Sequence, residues 1–156
     1  MCEQPFDETV GVIGLGYVGL PLALRLSDVG YDVIGVDLDE NRINSLNTGE
    51  SYISDIPDRA VDSHLGSFRP TTNYADLTEA KAISICVPTP LSKSEQPDTS
   101  YVTDAAERLA DVVQPGGTIV LESTIYPGGT KEIVAGTLER KGFKVGEDIF
   151  VANSPE

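Results

Sequence analysis

The chain has 156 residues, the size of one domain, and no run in it approaches the ~18 consecutive apolar residues of a membrane-spanning helix. Its formal net charge is −14, from 25 acidic against 11 basic residues, and no basic stripe is present, which argues against nucleic acid and anionic membrane as partners. Two cysteines, Cys2 and Cys86, and one histidine, His64, provide neither a disulfide framework nor a Cys/His metal cluster, so no metal is expected.

The acid is spread along the chain and reads as a solvated surface. Adaptation to high salt, where screening relieves self-repulsion, and a merely acidic character account for it equally well. The N-terminal stretch Met1 to Glu8 is acidic and lacks the basic region and apolar block of a signal peptide. The expectation is a soluble, cytoplasmic protein. His64 stands in a polar stretch and reads as an ordinary surface residue.

In chain order, the apolar run Val10 to Ile13 predicts a first strand over 9–14. Gly14-Leu15-Gly16-Tyr17-Val18-Gly19 follows and leads directly into a helical pattern over 17–29, with Val18, Leu22, Leu26 and Val29 as its apolar face. Strand, Gly-x-Gly-x-x-Gly and helix in that order form the dinucleotide fingerprint. Gly14 serves the tight turn, Gly16 the approach of a pyrophosphate, and Gly19 the close packing of helix on strand. Gly30 stops the helix. A second strand over 32–37 ends in Asp37, about 20 residues beyond the glycines, where a ribose-binding acid belongs. Asp39 is placed to cap a short helix through Leu46.

The segment 52–66 carries little pattern, although Val61 and Leu65 are i,i+4 partners consistent with a helix near 58–66. A weak strand over 68–72 follows. Ala82 to Val87 is a buried strand, ended by Val87-Pro88-Thr89-Pro90 because proline cannot continue a central ladder. A polar loop over 91–98 leads to a helix over 100–113 that Asp98 is placed to cap, and Pro115-Gly-Gly117 ends it. A strand over 118–121, a turn at 127–129, a helix over 130–141 and a last strand over 149–152 complete the pattern. The fold class is therefore α/β: a Rossmann-like doubly wound parallel sheet of about six strands with helices on both faces. Ligands in such sheets sit beyond the strand C-termini, so Gly14 to Gly19, Asp37, Val87 to Pro90, Glu122 to Thr130 and Asn153 to Glu156 should line one crevice.

Five ordered motifs, GLGYVGLPLA (14–23), ICVPTPL (85–91), PDTSYV (97–102), ESTIYPGGT (122–130) and GEDIFVANSPE (146–156), resemble the N-terminal NAD-binding domain of the UDP-glucose/GDP-mannose dehydrogenase family. Within that family they most resemble the UDP-N-acetylglucosamine 6-dehydrogenases, with the UDP-N-acetylmannosamine enzymes as near neighbours. The resemblance implies one NAD-binding domain over 1–156, with the central helical and UDP-sugar domains outside this sequence. It implies a homodimeric whole enzyme that oxidises a sugar C6 alcohol to a carboxylate in two NAD-dependent steps, using a cysteine of a later domain. This stretch alone should be inactive. Cys86, inside a strand, is not that nucleophile but a small buried hydrophobe.

Carried over by position, Gly14, Gly16 and Gly19 form the turn, and the backbone of Tyr17 and Val18 meets the pyrophosphate. Asp37 holds the adenosine ribose hydroxyls and repels a 2′-phosphate, favouring NAD over NADP. Arg42 matches a basic position near the adenosine, or is a solvated helix residue. Val87, Pro88 and Thr89 form a stiff cofactor-contacting loop, or a purely structural turn. Thr124 lies near the nicotinamide and orients a water or substrate oxygen, and Glu156 activates the hydrolytic water. Glu122 is assigned no catalytic part; a capping or hydrogen-bonding role is expected. Gly129 stands where the family has threonine, which should loosen that loop. A 3-hydroxyacid-type dehydrogenase domain and a non-catalytic NAD-binding module are the competing readings.

Overall fold

A computed structural model describes residues 8–155, so Cys2 and Glu156 lie outside the described residues. The apolar runs form strands β1 (Thr9–Ile13), β2 (Asp32–Val36), β3 (Phe68–Thr71), β4 (Ala82–Ile85), β5 (Thr118–Leu121) and β6 (Phe150–Asn153). They pair in parallel in the order β3-β2-β1-β4-β5-β6. The order reverses between β1 and β4, which is where such a sheet opens a crevice. The helices are α1 (Gly19–Asp28), α2 (Glu40–Asn47), α3 (Asp58–Asp62), α4 (Ser100–Ala110) and α5 (Gly136–Arg140). Among the described residues no helix is long and apolar enough to cross a membrane.

The side chains of β1 and β2 alternate between two cores, one on each sheet face. Val10, Val12 and Val33 join Leu15, Leu20, Leu24 and Phe68 in one, whereas Ile13, Ile34 and Val36 join Ile83, Ile85, Leu109 and Leu121 in the other. Because both faces are covered, the strands read as continuous apolar runs rather than as alternating ones.

Several expectations need correction. The buried face of α1 is Gly19, Leu20, Ala23, Leu24 and Ser27, not Val18, Leu22, Leu26 and Val29. Val18 and Val29 are exposed, and Leu22 and Leu26 pack at the margin of the core. The rotation of the helix is set by Gly19 pressing on the backbone of Gly14, not by the count of apolar residues. The helix near 58–66 is confined to α3; Val61 is buried and Leu65, beyond its end, is exposed. A 3₁₀ helix over Tyr74–Glu79 carries no sequence periodicity that would announce it. The segment Thr130–Ala135 is wound as a π-helix before α5 begins. Of the two expected caps, Asp39 is the N-cap of α2 and accepts from the N–H groups of Asn41 and Arg42. The N-cap of α4 is instead Thr99, without a side-chain bond, and Asp98 just ahead of it accepts from Ser100 N–H at 3.0 Å.

His64 is not an ordinary surface residue. Its ring faces acceptors on both sides, the Ala60 carbonyl at Nδ1 and Asp28 Oδ1 at 2.7 Å from Nε2, and so ties α3 to the C-terminal end of α1. Only the doubly protonated ring can donate to both. Burial opposes that charge, but the Ala60 carbonyl and the Asp28 carboxylate outweigh it and raise the pKa. The resulting stabilisation is complete below the ordinary imidazole value of 6.5 and is lost as pH rises through the higher folded-state value. His64→Gln should therefore lower the melting temperature more at about pH 5.5 than at about pH 8.5. Thermal melts of both proteins at the two pH values read this directly.

Candidate functional site

Gly14 leaves β1 with φ +89°, a conformation that other residues rarely adopt. The chain then turns through Leu15 and Gly16 and enters α1. A Cβ on Gly19 would lie 1.6 Å from the Gly14 carbonyl oxygen, so only glycine lets the helix rest on the turn. Gly16 is different. Its φ is not positive, and a Cβ there would meet nothing closer than Arg42 Nη1 at 4.0 Å. The protein itself does not require glycine at 16; the open space over it faces the crevice and suits an approaching ligand. The N-terminus of α1 has no side-chain cap and no acidic residue in its first turn. Leu20 N–H is spent on the Gly16 carbonyl at 3.1 Å and Pro21 has none, so the N–H groups of Tyr17 to Gly19, with the positive dipole end, are those that can meet an anion.

Asp37, just past β2, is held from several sides. Its Oδ2 accepts from Leu15 N–H at 2.9 Å and from Arg42 Nη1 at 3.2 Å, and its Oδ1 accepts from Asp39 N–H at 2.9 Å. Arg42 also lies 3.8 Å from Asp39 Oδ2, and its guanidinium sits 5.4 Å from the centre of the Tyr52 ring. Arg42 is therefore not a free solvated helix residue: it is fixed against Asp37 at the crevice wall. Oδ1 of Asp37, with one backbone donor, keeps capacity for a further hydroxyl.

The opposite wall is built from β4 and β5. Cys86 is buried just past β4, and its N–H donates to the Ile13 carbonyl at 2.7 Å. Ser123, itself buried, donates its hydroxyl to the Val87 carbonyl at 2.6 Å and so ties the Val87-Pro88-Thr89-Pro90 loop to the Glu122-Ser123-Thr124 loop. The N–H of Glu122 donates to the Ile85 carbonyl at 2.9 Å, and the residue lines the crevice. Gly129 does not loosen its loop: a Cβ there would meet Ile125 Cγ1 at 2.6 Å, so the glycine permits close packing.

These walls enclose a cleft of about 750 Å³ at the β1/β4 reversal. Gly14, Gly16, Tyr17, Val18, Asp37, Arg42, Val87, Pro88, Thr89 and Thr124 all line it. Gly19 lies beneath it as a packing residue, and Glu156 is outside the described residues. Sequence reasoning missed Tyr74, Tyr101 and Asp104 in the lining. Tyr101, Asp104 and Ala105 share one face of α4 at i, i+3, i+4 spacing, a signal that was available. Tyr74 had none. Burial and the Asp104 charge push its hydroxyl up to about 12 against the pull of Arg108, so it remains a protonated donor at neutral pH.

A glycine turn running into an uncapped helix, a carboxylate at the end of the next strand and a cleft at the sheet reversal define a dinucleotide-binding domain. The match to known proteins narrows the class. Residues 8–156 match the NAD-binding domain of the UDP-glucose/GDP-mannose dehydrogenase family, and the chain belongs to that family. It is 37% identical over 150 residues to the UDP-N-acetyl-D-mannosamine dehydrogenase of Pyrococcus horikoshii, covering 94% of this chain and 36% of that protein. It is 36% identical over 151 residues to the UDP-N-acetyl-D-glucosamine 6-dehydrogenase of Pseudomonas aeruginosa, covering 96% of this chain and 35% of that protein. The structure matches GDP-mannose dehydrogenase from Pseudomonas aeruginosa with a TM-score of 0.89 at 30% identity, over 94% of this chain and 36% of that one. The chain thus spans about a third of the length of these relatives. The fold alone is shared with (S)-3-hydroxybutyryl-CoA dehydrogenase from Ralstonia eutropha, at a TM-score of 0.60 and 17% identity over 86% of this chain and 46% of that one.

The two glycines separate packing from ligand binding. Gly19→Ala should cost about 3 kcal/mol or more, because backbone rather than a pliable side chain blocks the new methyl. Gly16→Ala should shift stability by less than about 0.5 kcal/mol. It should nevertheless weaken NADH binding about tenfold or more. Urea unfolding and NADH titration of the two variants check the contrast.

Proposed function

We propose that this chain is the cofactor-binding part of a nucleotide-sugar 6-dehydrogenase that oxidises the C6 alcohol of a UDP-N-acetylhexosamine, UDP-N-acetylglucosamine by preference, to a carboxylate. The observation that carries this reading is one cleft into which the glycine turn, Asp37, Val87 to Thr89 and Thr124 converge. Oxidation of a primary alcohol to a carboxylate removes four electrons, and two NAD⁺ accept them as two hydrides. The α1 N-terminus and the backbone at Tyr17 and Val18 would hold the pyrophosphate. Asp37 Oδ1 would accept from a ribose hydroxyl, and the carboxylate would repel a 2′-phosphate. The Val87-to-Pro90 loop, stiffened by its prolines and by the Ser123 hydroxyl, would position the nicotinamide end beside Thr124. Thr124, exposed at the cleft, would orient a water or substrate oxygen, and Glu156 would activate the hydrolytic water.

The relatives support the substrate class without agreeing on the sugar. Their names cover N-acetylglucosamine, N-acetylmannosamine and N-acetylgalactosaminuronic acid nucleotides. The whole enzyme, in this reading, works as a cytoplasmic homodimer and takes its nucleophilic cysteine and sugar pocket from further domains.

Titration with NADH and NADPH, read by nicotinamide fluorescence, tests the cofactor site; the chain has no tryptophan to confuse the signal. NADH should bind and NADPH should not. Asp37→Asn, which removes the ribose acceptor charge and one of the two carboxylates paired with Arg42, should weaken NADH about tenfold and abolish the discrimination against NADPH. The full-length protein should form two NADH per UDP-N-acetylglucosamine consumed. Inertness with every UDP-hexose would refute the dehydrogenase reading and favour a non-catalytic NAD-binding module.

A further inference from the structure

Leu15 stands between Gly14 and Gly16, with its side chain buried in the core and a glycine on each side of its backbone. Its N–H and its carbonyl, which belong to two successive peptide units, are both held by residues distant in sequence. Asp37 Oδ2 accepts from the Leu15 N–H at 2.9 Å. The Tyr52 hydroxyl donates to the Leu15 carbonyl. Tyr52 lies in the connection between α2 and α3, half-buried against the core that contains Leu15, Leu20 and Phe68. The face of its ring carries Arg42, whose Nη1 is 3.2 Å from the same Asp37 oxygen that holds Leu15. Tyr52 does not itself line the cleft.

We infer that Tyr52 is a positioning residue for the cofactor: it fixes the carbonyl side of the glycine turn with its hydroxyl and seats Arg42 against Asp37 with its ring. The inference rests on the cofactor reading above. The physical argument concerns pre-organisation. A turn containing glycines on both sides of one residue has a large conformational freedom, and a ligand that orders it loses affinity accordingly. Holding the N–H and the carbonyl of Leu15 limits the freedom that its buried side chain leaves to the flanking glycines before the ligand arrives. The phenol is suited to this because the acceptor it serves is a carbonyl, and burial together with the Asp37 charge drives its pKa upward, so the hydroxyl keeps its proton. The ring supplies a second service, since a guanidinium over an aromatic face is attracted by the ring quadrupole.

The test uses Tyr52→Phe, which keeps the ring under Arg42 and removes only the hydroxyl, in the full-length protein. Its Kd for NADH should rise about fivefold, the loss of one neutral hydrogen bond's worth of ordering, while its preference for NADH over NADPH is retained. Tyr52→Leu, which removes the ring as well, should also erode that preference. Hydrogen exchange followed by mass spectrometry should show faster exchange in peptides covering residues 14–17 of Tyr52→Phe, with core strands β4 and β5 unchanged. A purely structural tyrosine would lower the melting temperature and leave both the Kd and the exchange at 14–17 as in the parent. That result, with NADH binding intact in the unmodified protein, would overturn the inference alone. Failure of the unmodified protein to bind NADH would overturn the cofactor reading and this inference with it.

Discussion

The contact of Gly19 with the Gly14 carbonyl is the constraint on which the site depends. With room for no Cβ between them, α1 sits directly on the turn that leaves β1. That approach sets the rotation of α1, directs Leu20, Ala23 and Leu24 into the core, and brings the uncapped helix N-terminus to the mouth of the cleft. Leu15, wholly buried, then lies on the core side of the turn, where Asp37 and Tyr52 reach its peptide groups. Packing and ligand geometry are one arrangement here, because the same two backbone atoms decide both.

A chain with a net charge of −14 must still receive a cofactor with a negatively charged pyrophosphate. The distribution of charge around the cleft answers this locally. No acid occupies the first turn of α1, so the positive end of the helix dipole is not cancelled from within the helix. Asp37 reaches the turn itself, where the Leu15 N–H donates to it, and Arg42 lies against both Asp37 and Asp39. Asp104, on α4, is paired with Arg108 at 2.8 Å. The acidity of the chain as a whole therefore bears on its behaviour in solution, while a few paired carboxylates shape the site.

Much of this was legible in the sequence because it follows from local chemistry. The strands announced themselves as apolar runs bounded by glycine and proline, and the glycine fingerprint lay between a strand and a helix. Asp39 was readable as a cap because a carboxylate just ahead of a helix has nearby N–H groups to accept from, and Asp98, one residue outside the N-cap Thr99, still accepts from the first helical N–H. The readings that failed depended on distant neighbours. The inward face of α1 was misjudged because apolar count competes with backbone contact, and backbone contact won. Gly129 was read as loosening its loop, whereas Ile125 packs where its side chain would be. His64 was read from its polar neighbours in sequence, but Asp28, 36 residues away, sits at its ring. The 3₁₀ helix at Tyr74 and the π-wound segment at Thr130 have no periodic signature that composition could reveal.

The sequence by itself determined the fold class, the order of strands and helices, and the residue types that a dinucleotide site requires, because each rests on backbone conformation and short-range periodicity. Only the tertiary structure decided how those residues are held. That Arg42 is bound to Asp37 and lies over Tyr52, that Ser123 ties two loops together, and that α4 contributes Tyr101 and Asp104 to the cleft are all consequences of packing between segments far apart in the chain. Local pattern carries no record of such meetings, since the same residues at the same spacing would read alike with any other partner across the sheet.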